Sequence, residues 1–435
     1  VIATGIAGVF AWEALDSRGN PTVACEARLE GGACGTATVP SGASTGTHEV
    51  RELRDGGDWY AGRGVRSAVA SVNDVLGPGV AGLDAADQAG VDAALRALDG
   101  TADLARLGAN AVLAVSVASA VAAAAAASVP LWRLLAGDGA PPLLPLPMVN
   151  VVSGGAHARG AGVDVQDFLV VPVGAARFSE AIEWAWRVRR AAEDLAAQHG
   201  FAASLVADEG GLGLALGTNR EGLELLAAAI ETSSLALGEQ AAIAVDVAAT
   251  QLRTSGGGYR LAAEGRSLDA AGLIDELEAW CRDFPVVSLE DPLSEDDWEG
   301  WAEITRRLGS RVQLLGDDLF VTQAGRLERG ISGGVANAIL VKPNQCGTLT
   351  DSVAAVRRAR EARYATVVSA RSGDTEDSWL ADLAVGWRAG QIKVGSTARS
   401  ERTAKWNRLL RIEAEADDTA RFAGRDALAP LDMGP

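Results

Sequence analysis

At 435 residues the chain exceeds one ordinary core, so two domains, or a barrel with an additional domain, is the expected plan. Its 48% apolar and 22% charged residues describe a globular protein rather than a disordered or fibrous one. The formal charge of −18 argues against a nucleic-acid partner, since phosphate backbones are met by clustered Lys and Arg. An anionic substrate would have to be held by local cations or metals against that background.

The opening VIATGIAGVFAWEAL lacks the basic region and cleavage site of a signal peptide. Residues 1–40 alternate and turn as an antiparallel meander, with turns at DSRGNP and at a Gly-Gly pair. SGASTG follows as a loop of small residues, and helical periodicity dominates from about Gly64 to Val129. Residues 109–129 are nearly uncharged over about a membrane span. Ala and Ser dominate them, however, which predicts a buried helix and no membrane partner. The Pro- and Leu-rich PPLLPLPM (141–148) reads as the linker between domains. Cys25, Cys34, Cys281 and Cys346 lie far apart without a CxxC pair, which disfavours a disulfide framework or zinc site and fits a reducing cytoplasm.

Beyond the linker, short apolar runs end in a polar residue, and each is followed by an amphipathic stretch of helical length. The run ends are Asp246, Glu290, Asp317, Lys342, Arg371 and Lys393, and from Glu290 onward they are 22 to 29 residues apart. That is one strand plus one helix each time, the pattern of parallel βα units. In a βα barrel the C-terminal strand ends converge on one face, so all six side chains are expected in one pocket.

Asp246, Glu290 and Asp317 then supply three hard oxygen ligands, which suit Mg²⁺ better than Zn²⁺. A lysine crowded by divalent cations and by a second lysine loses its proton more readily, which makes Lys342 or Lys393 a candidate general base. Its task would be to remove a proton from carbon beside a carboxylate, with two Mg²⁺ ions stabilising the doubly charged product. Glu209, in the Gly-flanked ADEGG, is a candidate acid. Arg371, Ser372 and Ser44 are candidates to bind a phosphate and cap a metal. His157 sits in SGGAHARG, whereas His48 and His199 read as surface residues.

These residues stand in segments that resemble the enolase family across nearly the whole chain. DSRGNPTV (16–23), VPSGASTG (39–46), ELRDG (52–56), LGANAVLAVSVA (107–118), DEGG (208–211), SLEDP (288–292), GDDL (316–319), SGDTED (372–377) and GQIKVG (390–395) occur in enolase order. The resemblance implies an α/β fold: an N-terminal α+β domain over 1–135 and an enolase-type eight-stranded βα barrel over 136–435, assembled as a homodimer or higher homo-oligomer. It implies two Mg²⁺ per site, the first on Asp246, Glu290 and Asp317 and the second helped by Ser44. It maps Lys342 to the base, Glu209 to the acid and Lys393 to the substrate carboxylate. Arg371 and Ser372 map to the phosphate, and His157, Gln166 and Asp167 to the substrate pocket. The implied partner is a small phosphorylated or phosphonylated carboxylate, and the implied reaction is that of a carbon–oxygen lyase interconverting 2-phosphoglycerate and phosphoenolpyruvate.

The departures from the enolase pattern are concentrated. SHRSG has become SARSG, which places Ala370 where a histidine is usual. QEF has become Gln166-Asp167-Phe168, a carboxylate one methylene shorter. In enolases both positions lie toward the leaving hydroxyl, so the two changes are expected together at that end. Three readings follow: ordinary enolase chemistry; a paralogue of specialised phosphonate or phosphinate metabolism, such as carboxyphosphonoenolpyruvate synthase; and a retired enolase with a structural role. Retention of Lys342, Glu209 and the three metal carboxylates argues against the last.

Overall fold

The structure, a computed structural model, describes residues 3–43, 45–137, 139–158, 160 and 162–429. It begins with the antiparallel sheet Ile6–Leu15, Pro21–Leu29 and Cys34–Thr38, in that order. The first turn forms because Asp16 Oδ1 accepts hydrogen bonds from the amides of Arg18 (2.8 Å) and Asn20 (2.9 Å), while Gly19 takes φ +76°. Helices then cover one face of the sheet, chief among them Ala109–Ala126. This helix is long and apolar enough to cross a membrane, but most of it is buried inside the protein, as its Ala-rich composition predicts. Small residues let it approach the sheet closely: a Cβ on Gly35 would stand 2.2 Å from the backbone nitrogen of Ala122.

Eight strands form a closed barrel: Leu146–Ser153, Asp167–Val171, Ala242–Asp246, Val286–Glu290, Gln313–Gly316, Ala338–Val341, Ala365–Ser369 and Gly390–Gly395, the last pairing with the first. Two helices, Phe178–Gln198 and Asn219–Thr232, stand between the second and third strands. From the third strand onward strands and helices alternate and the strands run parallel, as the spacing predicts. The second strand is the exception, antiparallel to both its neighbours.

The segment 141–148 is not a linker. Leu143–Leu144 pairs with Arg421–Phe422, and Leu146 opens the first barrel strand, whose eight residues are all buried. Proline is read as punctuation in a sequence, but here Pro147 is paired within the strand and the apolar side chains around it belong to the core.

Candidate functional site

The parallel register delivers the six run-end side chains to one mouth of the barrel, where five of them pair closely. Lys393, near the end of the last strand, places Nζ 2.7 Å from Asp246 Oδ2 and 2.7 Å from both oxygens of Glu290. Lys342 Nζ bonds Asp317 Oδ2, and Gln345 Nε2 donates to Asp317 Oδ1 at 2.9 Å. Gln166 Nε2 donates to Asp246 Oδ2 at 3.0 Å and is itself steadied by Gln251 at 2.9 Å.

The charges in this cluster are strongly interdependent. Burial pushes the Glu290 carboxyl well above the usual range, and the neighbouring carboxylate of Asp246 adds to it. Asp246 is also pushed up by burial, but Lys393 outweighs that and holds it below the usual range. For Lys342, burial favours the neutral amine while Asp317 favours the ammonium, and the ammonium prevails. Lys393 is raised for the same reason, by Asp246 and Glu290 against burial. Taken alone, the protein's own carboxylates hold both lysines as ammonium, whereas the readily deprotonated lysine is expected of the site with divalent cations beside it.

At the other end of the site His157 is buried between two acids. Its Nδ1 lies 2.8 Å from Asp167 Oδ2 and its Nε2 3.8 Å from Glu209 Oε1. Burial works against the imidazolium, but the two carboxylates prevail and push it up to about 9. Burial also raises the Asp167 carboxyl, partly offset by His157. Asp167 reaches this mouth from the start of its strand, not the end: antiparallel pairing sets it opposite Asp246.

The N-terminal loop is fastened across the mouth. The Arg371 guanidinium grips Glu49 with two hydrogen bonds of 3.0 and 3.1 Å and donates to Asn344 at 2.9 Å. Ser372 Oγ accepts from the Ala43 amide at 2.6 Å. Thr47 donates to Glu295 from its amide (3.0 Å) and its hydroxyl (2.6 Å). Ser44 lies outside the described residues. A cavity of about 600 Å³ opens between the turn at Arg18, the loop at Ser41–Ala43, and barrel residues His157 and Asp208.

Ala370 lines a small cavity with Asn344, Asp374 and Trp379, and its amide donates to the Lys393 carbonyl at 2.9 Å. His199 is exposed and His48 half-buried beside Asp296, as expected for surface residues.

Several supporting residues carry no local signal in the sequence. Glu49, Asn344, Gln345 and Gln251 are identified by their contacts alone. Asp291, with φ +38°, accepts the amides of Asp317 (2.9 Å) and Asp318 (2.8 Å) and so fixes the loop that carries Asp317. Among the described residues, two sets bring three acidic or imidazole ligand atoms within 4.8 Å of one another: His157, Asp167 and Glu209; and Asp291, Asp317 and Asp318. Asp246, Glu290 and Asp317 are instead spanned by the two lysines. Residues 6–135 match the family model described as enolase, N-terminal domain, and residues 141–431 match enolase, C-terminal TIM barrel domain.

Proposed function

Because this chain belongs to the enolase family, we propose that its barrel mouth removes a proton from carbon beside a carboxylate and eliminates a group from the adjacent carbon. The preferred substrate is 2-phosphoglycerate or a close analogue. The observation that carries this reading is the enclosed set of two lysines and three carboxylates, Lys342 with Asp317 and Lys393 with Asp246 and Glu290.

The donor set fits Mg²⁺. Asp246, Glu290 and Asp317 offer hard oxygens; the Glu290 carboxyl is raised first by burial and then by neighbouring Asp246, a crowding of buried carboxylates that a divalent cation would relieve. When bound, Mg²⁺ would stabilise negative charge developing on the substrate carboxylate. Glu290 and Asp246 would exchange their hold on Lys393 for the ion, freeing its ammonium to meet that carboxylate. Lys342, released from Asp317 and shifted to its neutral amine by the added positive charge, would take the proton from carbon. Glu209 and His157, at the opposite end, would serve the departing group. Arg371, Ser372 and the loop fastened to them would hold the phosphate.

The test is spectroscopic. Purified protein with Mg²⁺ and 2-phosphoglycerate should generate phosphoenolpyruvate absorbance, and Lys342→Ala should abolish it. Solvent-deuterium exchange at C2 without net product would favour the second reading, a paralogue acting on an analogue such as the carboxyphosphono compound. One observation favours that alternative: Asp167 has no exposed surface, so the carboxylate usual at this position is withdrawn from the cavity. Absence of both signals would remove the elimination reading.

A further inference from the structure

Asp167 is fully buried, with 0% of its surface accessible. Its Oδ1 accepts hydrogen bonds from Asn150 Nδ2 and from Ser153 Oγ (2.8 Å), and its Oδ2 meets His157 Nδ1 at 2.8 Å. Both oxygens are thus engaged by side chains, and none of the carboxylate is exposed to the cavity. His157 is placed differently. It borders the cavity of about 600 Å³ and a second of about 530 Å³ that continues past Phe201 and Gly213, and its Nε2 is turned toward Glu209.

We propose that Asp167 is a positioning residue: it anchors His157 by Nδ1 so that Nε2 faces Glu209 and the cavity, and His157, not Asp167, meets the departing end of the substrate. A buried carboxylate that accepts from one ring nitrogen fixes both the tautomer and the orientation of an imidazole. Asn150 and Ser153 belong to the neighbouring strand, so the short Asp side chain is held within the sheet, and its reach ends at the imidazole. The other charged groups acting on the ring are Glu209 from the loop before Leu212 and Asp246 from the third strand. Lys393 from the last strand lies near Asp167 and Glu209. The statement about the departing end rests on the elimination proposed above; the anchoring of His157 does not.

The whole chain labelled with ¹⁵N-histidine provides the test, because it has only three histidines and His157→Gln assigns the signal of interest. In the wild type, His157 should titrate near 9 and keep its proton on Nδ1 above that pH. In Asp167→Asn the midpoint should fall by at least about one unit toward the ordinary value, with a mixture of tautomers appearing. Asp167→Glu, which keeps the charge, should restore part of the shift. With Mg²⁺ and 2-phosphoglycerate, Asp167→Asn should lower kcat about tenfold or more and shift the basic limb of its pH profile downward, with KM changed less than threefold. A His157 midpoint that does not move in Asp167→Asn, or a loss confined to KM, would overturn the proposal. Failure of the wild type to turn over 2-phosphoglycerate would count against the elimination reading alone, since the imidazole titration is read without substrate.

Discussion

Glu49 and Arg371 form an ion pair whose side chains are only 7% and 3% exposed, joining the N-terminal loop to the barrel mouth. Two parallel hydrogen bonds give the pair a fixed geometry that a lysine could not reproduce. Removing one partner leaves a buried charge poorly compensated, at a cost of about 3–5 kcal/mol. Glu49→Leu should therefore lower stability by about 3 kcal/mol in urea unfolding, the low end of that range because Asn344 still accepts from Arg371. A loss under about 1 kcal/mol would show that the pair is screened by solvent. His157 makes a separate contribution that depends on pH. Its folded-state value, about 9, lies above its ordinary 6.5. The stabilisation is therefore complete below pH 6.5 and lost as pH rises through about 9. Melting temperatures of the wild type and His157→Gln should differ most below pH 6.5 and converge above 9.

At the scale of elements, two packing arrangements set the architecture. The helix Ala109–Ala126 lies so close to the strand Cys34–Thr38 that a Cβ on Gly35 would stand 2.2 Å from Ala122 N and 2.5 Å from Ala118 O. Both obstacles are backbone atoms and cannot rotate away. Gly35→Ala should cost roughly 3 kcal/mol, the upper end for overpacking, measured by denaturant midpoint. A neutral result would mean that the helix can slide on the sheet. The second arrangement is the reversed barrel strand Asp167–Val171. Reversal puts its first residue at the mouth beside Asp246, and so adds a seventh titratable side chain to the six run ends.

For the whole molecule, stability should be linked to metal. An ion that binds only the folded state stabilises by about 2.7 kcal/mol at one hundred times its Kd. Mg²⁺ should raise the melting temperature relative to EDTA in a concentration-dependent way, and Glu290→Gln should weaken that rise. An identical melting curve with and without Mg²⁺ would remove the metal from the proposed function. The N-terminal loop should sense the same event. Its fastening on Arg371 lies within the field of the Asp317 carboxylate, where the excess of negative charge would change.

The sequence by itself determined the meander, the buried Ala-rich helix, the βα alternation and the convergence of Asp246, Glu290, Asp317, Lys342, Arg371 and Lys393. Each depends on local periodicity or on a repeat length that a linear chain displays. Which lysine meets which carboxylate, the reversed second strand and the strand character of residues 141–148 were decided only by the tertiary structure. These depend on strand direction, and on hydrogen bonds between residues far apart in the chain, such as Glu49 and Arg371, 322 positions apart. Electrostatics at the mouth belongs to this second group as well, because burial and the summed field of neighbouring charges, rather than residue type, fix the state of each group.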